Sequence, residues 1–439
     1  MKSDRPLPVA IVGGGFSGTM VAAQLARNGI ESVLIEGGCR VGRGIAYSTA
    51  EPAHVLNVCA ESMSAWADDP EHFSRWFETQ GGEASDFAQR RLFGRYLDAV
   101  LEEAMTTGMV RLVEQKAVGA APNEVDWLVE LEDGGKVEAS ALVLATGNQP
   151  PDPLPMSGAA RFIGNPWSTE AHDAIADVAA NDSDVLIIGT GLTMIDTVLS
   201  LDAAGHRGRI VALSRRGLLP HAHADHEPAP VDLDEVPLGS ARKLLRWLRE
   251  RGAAVGWRAA VDALRPYSHA IWQALPLDEQ RRFMRHARPW WDVRRHRIAP
   301  EIAQRLHDMI AAGQLEIVAG RLVEVREDDE ALDLRIARRG GKRELRLRVA
   351  YAFNSTGPLH AMGRTKDPML RQMLNDGLIR PDALGIGLEV DERSRAAGST
   401  RAWAMGPLTK GRYWEIIAVP DISGQAAAVA DDIVMELGR

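Results

Sequence analysis

The hydrophobic pattern of the chain alternates between short apolar runs and longer helical repeats. Apolar runs at 9–12, 32–35, 139–145, 184–188, 209–213 and 350–353 predict strands of parallel sheets, in which both faces are covered. Apolar positions at helical spacing predict helices at 19–27, 70–80, 87–108 and 425–437, while residues 110–131 and 316–347 alternate as antiparallel strands do. Strands that alternate with helices indicate an α/β fold.

Three glycines follow the first apolar run, in the spacing Gly13-x-Gly15-x-x-Gly18. The first permits a tight turn, the second lets the backbone approach a pyrophosphate, and the third lets helix and strand pack closely. The next helix points its positive N-terminal end at that pyrophosphate. The following strand ends at Glu36, where dinucleotide folds place a carboxylate that binds a ribose hydroxyl. The complete unit predicts a dinucleotide site.

A second strand–turn–helix unit carries Gly189 and Gly191 but has Met194 in the third glycine position, which weakens the motif. The strand after it ends in Arg215 and Arg216. Arginines at this place accommodate the 2′-phosphate of NADP, whereas a carboxylate favours NAD. Two solvated surface arginines are the alternative. The two units together predict FAD at the first site and NADPH at the second.

Composition narrows the class of protein. The chain has 439 residues, which is long for one core and predicts two or three domains. A net charge of −9 argues against general binding to nucleic acid or to an anionic membrane. Cys39 and Cys59 form no CxxC pair, so neither a disulfide framework nor a dithiol reductase is expected. With no signal-peptide pattern and no apolar run long enough to span a bilayer, the prediction is a cytoplasmic protein.

Several further segments carry a resemblance to a known family. They include Gly42-Arg-Gly-Ile-Ala-Tyr47, His54-x-Leu-Asn57-Val, Met63-Ser64, Gly189-Thr-Gly-Leu-Thr-Met194, Ser214-Arg-Arg-Gly-Leu-Leu-Pro220, the stretch 291–300, Gly406-Pro407-Leu and the stretch 414–421. On these residues the chain resembles bacterial FAD/NAD(P)-binding oxidoreductases related to class B flavoprotein monooxygenases, the flavin-containing and N-hydroxylating enzymes. The resemblance implies two Rossmann-like dinucleotide-binding domains, for FAD and NADPH. Between them, periodic segments at 238–252, 261–275, 278–288 and the start of 299–312 predict a helical insert.

The expected domain limits follow from composition and from repeated motifs. The FAD domain is predicted at 1–155 and 350–439, and the NADPH domain at 156–349 with its helical insert at about 221–312. Prolines at 150–155 mark the first boundary. The strand before Thr356-Gly357 repeats the strand before Thr146-Gly147, which predicts that the chain re-enters the FAD domain there.

The resemblance also implies the site residues. In the first domain, cofactor contacts are expected from Gly13, Gly15, Phe16, Ser17, Gly18, Glu36, Arg43, Tyr47, Asn57, Ala145, Thr146 and Gly147. In the second domain they are expected from Gly189, Gly191, Leu192, Thr193, Ser214, Arg215 and Arg216, and in the C-terminal part from Gly406, Pro407, Trp414 and Val419. In related flavoproteins the last helix points its N-terminus at the flavin N1–C2=O edge. Flavin chemistry needs no protein nucleophile, so the catalytic residues are unknown; the candidates are Asn57, Met63, Ser64, Trp291, Arg295 and His296.

One departure from the related enzymes concerns the substrate. Baeyer–Villiger enzymes carry a Phe-x-Gly-x-x-x-His-x-x-x-Trp signature before the second glycine turn. Here the place reads Phe162-Ile-Gly164-Asn-Pro-Trp-Ser168, with serine where the histidine should stand. This puts ketone oxygenation of that kind in doubt.

Two stretches of the insert admit other interpretations. His221, His223 and His226 could indicate a metal loop, but a metal site needs convergent ligands, and a solvated or substrate-facing loop is preferred, with no metal. The basic, aromatic stretch 281–297 is typical of nucleic-acid binding when taken alone. The chain is acidic, however, and long arginines often cover helix faces. The preferred interpretation is a cap over the active site, from which some of Trp291, Arg295, His296 and Arg297 contact an anionic substrate or the nicotinamide nucleotide.

Three functions remain open from the sequence. The first is an FAD-dependent, NADPH-using monooxygenase that oxygenates a small substrate at nitrogen or sulfur with O₂, through a C4a-(hydro)peroxyflavin. The second is an NAD(P)H-dependent flavin oxidoreductase without oxygenation. The third is a binding or regulatory protein that keeps FAD as a structural or redox-sensing element. The substrate and the oligomeric state are not predicted.

Overall fold

The computed structural model describes residues 6–38, 40–123, 126–341 and 344–438, so the predictions for Cys39 lie outside the described residues. The N-terminal elements are β1 (Val9–Val12), α1 (Phe16–Arg27), β2 (Ser32–Ile35), α2 (Gly44–Tyr47), α3 (His72–Glu78), α4 (Arg90–Thr106), β3 (Val110–Val113), β4 (Ala117–Asn123), β5 (Asp126–Leu131), β6 (Lys136–Ala139) and β7 (Ala141–Leu144). The middle of the chain adds β8 (Phe162–Ile163), α5 (Thr169–Asn181), β9 (Val185–Ile188), α6 (Leu192–Ala203), β10 (Ile210–Ser214), α7 (Ala241–Val255), α8 (Trp257–Asp262), α9 (Ser268–Ala274), α10 (Leu277–Arg282), α11 (Arg288–Arg295), α12 (Pro300–Ala311), β11 (Leu315–Glu327), β12 (Leu332–Arg338) and β13 (Glu344–Val349). The C-terminal elements are β14 (Tyr351–Asn354), α13 (Pro368–Asn375), β15 (Ala402–Ala404) and α14 (Val419–Leu437).

A parallel sheet in the order β15-β7-β1-β2-β3 joins the two ends of the chain. Val9 lies opposite Ser32 on one side and Ala141 on the other, so β1 is central. Apolar residues of α1, α4 and α14 cover one face, and the small antiparallel sheet β4-β5-β6 with α13 covers the other. Burial on both faces is why these strands are continuous apolar runs.

The second sheet has the order β13-β12-β11-β10-β9-β14-β8, with parallel pairing from β11 to β8. Strand β11 is long enough to pair in parallel with β10 at its start and antiparallel with β12 at its end. Helices α5, α6 and α12 pack on one face of the parallel part. The two sheets make the α/β fold with two dinucleotide-binding domains that the sequence predicts.

The strand at 351–354 departs from the predicted domain limits. β14 pairs with β9 along Val185–Ile188, so it lies in the second sheet, and the predicted return to the first domain at residue 350 comes one strand too early. The chain rejoins the first sheet only at β15, which pairs with β7. Both β7 and β14 end beside a glycine turn, and this local likeness does not say which sheet each strand joins.

The helical insert lies in the connection between the neighbouring parallel strands β10 and β11. Helix α12 packs on the second sheet as the crossover helix, while α7 to α11 stand apart with their own small apolar clusters. A π-helical turn, Phe283–Ala287, links α10 to α11. Throughout the described part of the chain, no helix has the length and apolar character needed to cross a membrane.

The last helix begins earlier than predicted, at Val419 rather than at Gln425. Pro420 lies in its first turn, where the missing N–H costs nothing because that group has no partner inside the helix. The earlier start brings the helix N-terminus toward the first glycine turn.

Candidate functional site between the two glycine turns

The first glycine turn, residues 13–18, is tightly packed at Gly13, Gly14 and Gly18; a Cβ on Gly14 would lie 2.7 Å from Cβ of Glu36. A Cβ on Gly13, whose φ is +106°, would lie 2.3 Å from the carbonyl oxygen of Ala145. A Cβ on Gly18 would lie 1.9 Å from the carbonyl oxygen of Gly13. At Gly15, by contrast, a Cβ would meet only ordinary contacts, the nearest at 3.4 Å. The turn therefore holds the start of α1 directly over the ends of β1 and β7, as a dinucleotide requires.

Glu36 lies beside this turn at the end of β2. Its Oε2 accepts a hydrogen bond of 2.8 Å from the N–H of Gly14, and its Oε1 accepts one of 2.8 Å from the N–H of Gly38. These two bonds orient the carboxylate at the edge of the turn. The arrangement fits the ribose of an adenosine.

Segments from distant parts of the chain meet at the start of α1. A Cβ on Gly406 would lie 2.6 Å from Oγ of Ser17, and Ser423 in the first turns of α14 donates to the carbonyl oxygen of Ser64 at 3.4 Å. Met63 is buried beside Ser64, and Val419 is buried at the start of α14. The structure thus brings these residues together beside the first glycine turn, where the flavin ring is expected.

Arg43 and Tyr47 are held by neighbours on α4 and α1. The Arg43 guanidinium pairs with Asp98, with Nε at 2.9 Å from Oδ1, and this hydrogen bond raises the pKa of Arg43. The Tyr47 ring lies 4.7 Å from that of Phe93 and 6.5 Å from that of Phe16, and burial raises the pKa of Tyr47 to about 12. Arg43 is therefore committed to an ion pair within the protein, and Tyr47 belongs to an aromatic cluster against Phe16.

The second glycine turn, residues 189–194, combines one tight and one open glycine. A Cβ on Gly189, whose φ is +120°, would lie 2.1 Å from the carbonyl oxygen of Ser355. A Cβ on Gly191 would meet no atom within 4 Å, so open space lies before the start of α6. Met194 is fully buried at the position of the third glycine. Open space at a helix N-terminus fits a pyrophosphate. Leu192 and Thr193, which open α6, lie half-buried beside it.

Two arginines, Arg215 and Arg216, directly follow the end of β10. Oγ of Ser214 accepts from Thr190 Oγ1 at 2.9 Å and from the N–H of Gly217 at 2.9 Å, which fixes the turn after β10. Arg215 is exposed and Arg216 is half-buried. Within the described ranges, no carboxylate lies at ion-pair distance from either guanidinium. They are free to meet an external anion.

Sequence reasoning missed two basic side chains, Lys410 and His360, that are buried near Arg288. Burial, with Arg288 nearby, lowers the pKa of Lys410 to about 8, and burial with Arg288 and Lys410 nearby lowers the pKa of His360 to about 4. The positive charge of Arg215 also helps to lower the pKa of His360. Lys410 follows Gly406-Pro407 and His360 follows Thr356-Gly357, so both come just after motifs that were recognised. Neither residue carries a motif of its own.

The insert is fastened to the loop before α14 by a cluster that we call the anchor, formed by Glu415, Arg295 and Trp291. Arg295 Nε donates to Glu415 Oε2 at 2.9 Å, with side chains only 10% and 4% exposed, and Trp291 Nε1 donates to the other carboxylate oxygen. Glu415 has a φ of +70°, uncommon for a residue with a side chain. Burial lowers the pKa of the adjacent His296. Trp291, Arg295 and His296 are thus brought together, with Glu415 as a partner that the sequence did not reveal.

Trp414, for which the sequence predicts a contact with the cofactor, lies against the insert. Its ring stacks on that of Trp272, with centroids 4.7 Å apart.

Asn57 is linked to the insert as well, because His223 Nε2 lies 2.7 Å from its carbonyl oxygen. The third histidine of this loop, His226, contacts a carboxylate of the insert: its Nε2 lies 3.1 Å from Oδ2 of Asp262. Among the described residues, no group of three or more His, Cys, Asp or Glu side chains is arranged to hold a metal.

The family model described as FAD-NAD(P)-binding matches residues 10–149. This part of the chain is an FAD-NAD(P)-binding domain. The chain is also 27% identical, over 207 residues, to a Baeyer–Villiger monooxygenase of Streptomyces coelicolor, an alignment that covers 44% of this chain and 32% of the relative. The chain thus matches only about a third of the length of that relative.

Solved structures share the whole fold at low identity. The ornithine N-hydroxylase of Kutzneria sp. 744, solved with reduced FAD, NADP⁺ and L-ornithine, is 15% identical with a TM-score of 0.68, covering 99% of this chain and 100% of that one. The L-lysine 6-monooxygenase of Pseudomonas syringae is 15% identical with a TM-score of 0.68, covering 98% of this chain and 99% of that one. At such identities the likeness establishes the two-domain fold alone.

Ser168, the departure from the Baeyer–Villiger signature, has a structural role here. It is the N-cap of α5, and its Oγ accepts from the N–H of Ala171 at 3.4 Å. Serine is a favoured N-cap residue. The position serves the helix of the second domain.

Proposed function

We propose that this protein is an FAD-dependent, NADPH-using monooxygenase that oxygenates a small substrate at nitrogen or sulfur. The observation that carries the proposal is the pair of glycine turns, of which the second opens onto free space and is followed by two arginines without carboxylate partners. The reaction balances as substrate, O₂, NADPH and H⁺ giving oxygenated substrate, NADP⁺ and water. FAD, when bound, accepts the hydride and activates O₂.

The residues of this chain bind, orient and exclude water. The first glycine turn and Glu36 would hold the adenosine half of FAD, and the N-terminus of α14 would face the flavin with its positive end. Gly191, Arg215 and Arg216 would hold the pyrophosphate and 2′-phosphate of NADPH. The insert, fastened by the anchor, would keep water from the reacting centre.

The decisive experiment follows the fate of O₂. The FAD-loaded protein is reduced with one equivalent of NADPH without oxygen, then mixed with ¹⁸O₂ and a panel of amines and thioethers. A monooxygenase gives one product that carries a single ¹⁸O atom, and peroxide falls as that product rises. Stoichiometric peroxide throughout the panel, together with electron transfer to an organic acceptor, would establish a flavin oxidoreductase instead. Failure of NADPH to reduce the FAD would leave a binding protein.

Replacing Gly191 by alanine tests the nucleotide site without disturbing the fold. The added methyl group meets no protein atom within 4 Å, so the free energy of unfolding should change little, while the methyl occupies the space assigned to the pyrophosphate. We expect normal FAD content and a KM for NADPH raised tenfold or more. Gly158→Ala, also without a neighbour within 4 Å, is the matched control. An unchanged KM in Gly191→Ala would refute this nucleotide site.

Replacing Arg215 and Arg216 by alanine, singly, tests the coenzyme preference. A lost charge-assisted hydrogen bond costs about 1.5–3 kcal/mol, which corresponds to a KM for NADPH raised by roughly ten- to 150-fold. The KM for NADH should hardly change, because NADH has no 2′-phosphate. Steady-state kinetics with both coenzymes check this. Equal changes for the two would contradict the assignment to NADP.

Lys410 predicts a pH dependence of NADPH binding. With its pKa lowered to about 8, the side chain is cationic below that pH and neutral above it, whereas an ordinary lysine stays charged to about 10.5. The KM for NADPH should therefore rise as the pH passes through 8, because the nucleotide is anionic. In Lys410→Met this rise should be absent and the KM should be high at every pH. Lys136→Met, at an exposed lysine of β6, should keep the wild-type profile.

A further inference from the structure

The helical insert encloses an apolar cavity of about 330 Å³, which we call the chamber. Its walls come from α7, α8, α9, the π-helical turn and α11, and one residue of the loop before α14, Trp414, closes it on the side of the first domain. Sites for small molecules usually measure ~300–1,000 Å³ and are lined by apolar and aromatic side chains with few polar groups. The chamber meets this description.

Tryptophan dominates the lining. Five tryptophans contribute to it, namely Trp257, Trp272, Trp290, Trp291 and Trp414. The rings of Trp272 and Trp414 stack at 4.7 Å, and Phe283 meets Trp414 edge-on with centroids 5.6 Å apart. Flat, rigid walls of this kind favour an aromatic guest, which gains face and edge contacts beyond simple burial.

Helix α7 forms one side of the chamber, and the apolar face that it turns to the chamber is only half-buried. Leu244, Leu245 and Leu248 line the chamber and are half-buried, and Ala241 is the one residue of this helix that is fully buried. The rest of α7 is largely charged and exposed. An amphipathic helix normally buries its apolar stripe against the core. Here the stripe faces a cavity, so a bound apolar molecule would complete its burial.

The chamber adjoins the anchor and therefore the region where the flavin is expected. Trp291 lines the chamber and donates its N–H to Glu415, the neighbour in sequence of Trp414. From Glu415 the chain runs directly into the start of α14 at Val419. A molecule in the chamber would thus lie next to the wall that separates the insert from the N-terminus of α14.

Few polar side chains line the chamber, and two of the three are cationic. They are Ser268, Arg249 and Arg294. Cationic neighbours disfavour a cationic guest. The preferred guest is therefore neutral or anionic.

We propose that the chamber binds the substrate as a hydrophobic aromatic molecule that is neutral or anionic. This proposal rests on the proposed function for its oxygenation step, and it names the class of substrate, an aromatic thioether or weakly basic aromatic amine. Free diamino acids, which are charged at every polar end, do not match these walls. The chamber would set this selectivity in two ways: its apolar walls favour a hydrophobic guest, and Arg249 and Arg294 repel a cationic one.

Binding is measured first, because it does not depend on turnover. The FAD-loaded protein is titrated with 1-anilinonaphthalene-8-sulfonate, which combines an aromatic body with an anionic group, and 2-(methylthio)naphthalene and L-ornithine are used as competitors. Leu248→Trp fills the chamber. Gly252→Leu narrows it and should not prevent folding, because leucine replaces glycine inside a helix and the added Cβ has only ordinary contacts from 3.5 Å. Met435→Trp, at a residue 64% exposed on α14, is the control.

We expect one probe per chain, displacement by the thioether and not by ornithine, and affinity at least tenfold lower in both chamber variants but unchanged in Met435→Trp. Wild-type affinity in Leu248→Trp and Gly252→Leu, or no saturable binding at all, would overturn the proposal. A probe affinity that falls as the protein concentration rises would indicate that a second copy of the chain occupies the chamber, and it would also overturn the proposal.

The turnover arm separates the two proposals. If probe and thioether bind as expected but no thioether carries ¹⁸O, the proposed function fails while the chamber stands as a ligand site. If oxygenation proceeds equally well in wild type and in both chamber variants, the proposed function stands and the chamber proposal fails.

Discussion

Gly18→Ala is expected to abolish FAD retention and to destabilise the N-terminal domain severely. The new Cβ would lie 1.9 Å from the carbonyl oxygen of Gly13 and 3.2 Å from Cγ2 of Ile11. Neither neighbour can yield, because the first is backbone in a turn that itself presses on Ala145 and the second belongs to the central strand. Helix α1 would have to lift off β1, which removes both the pyrophosphate site and the main contact of α1 with the sheet.

A graded pair of variants distinguishes loss of the site from loss of the fold. Gly15→Ala adds a methyl group whose nearest contact is 3.4 Å away at a φ of −78°, so the protein should fold, yet the methyl projects where the pyrophosphate approaches. We expect Gly15→Ala to remain soluble with weakened FAD affinity, and Gly18→Ala to be largely insoluble or free of flavin. Flavin absorbance per chain and thermal unfolding measure both. Normal flavin content in Gly18→Ala would refute the packing argument.

The two glycine turns were predictable from sequence because their constraint is local. The tight turn at Gly13, the open approach at Gly15 and the acid at Glu36 lie within the first strand–turn–helix–strand unit, and the open approach at Gly191 lies within the second. Residues close in the chain determine them, and only glycine satisfies the contacts that Gly13 and Gly18 make. The same holds for the parallel strands, whose apolar runs are set by burial on both faces.

The parts that could not be predicted depend on segments far apart in the chain. The anchor joins Arg295 to Glu415 across 120 positions, and neither residue belongs to a local pattern that specifies the other. Strand β14 joins the second sheet because it pairs with β9, and its own sequence does not specify this partner. The Thr-Gly turn after β14 therefore gave a domain boundary that was one strand too early. The stacking of Trp414 on Trp272 was not predicted either, because aromatic character alone does not specify the neighbour of a ring.

The same reasoning accounts for the insert. Its helices were expected from periodicity, but periodicity says only that one face is apolar and not what covers that face. For α12 the cover is the second sheet. For α7 the apolar face lines the chamber, which became visible only when α8, α9 and α11 were placed around it. A cavity between helices is therefore the feature that pattern analysis is least able to find.

Breaking the ion pair between Arg90 and Asp196 is the second change with a large expected effect. Arg90 Nη1 donates to Asp196 Oδ2 at 2.9 Å, joining α4 of the first domain to α6 of the second, with side chains only 12% and 8% exposed. Arg90 Nε also donates to the carbonyl oxygen of Val55 at 3.0 Å. Removing one partner of a buried pair leaves an uncompensated charge, which costs about 3–5 kcal/mol.

We therefore expect Asp196→Ala to lower the free energy of unfolding by about 3–5 kcal/mol, measured by urea denaturation of the FAD-loaded protein. The double variant Arg90→Met/Asp196→Leu should recover much of this loss, because it leaves no buried charge behind. Asp68→Ala removes an exposed pair with Arg27, 71% and 45% exposed, and should cost less than about 1 kcal/mol. Equal losses in the single and double variants would show that packing, rather than the unpaired charge, dominates. A loss no larger than that of Asp68→Ala would show that the pair does not hold the two domains together.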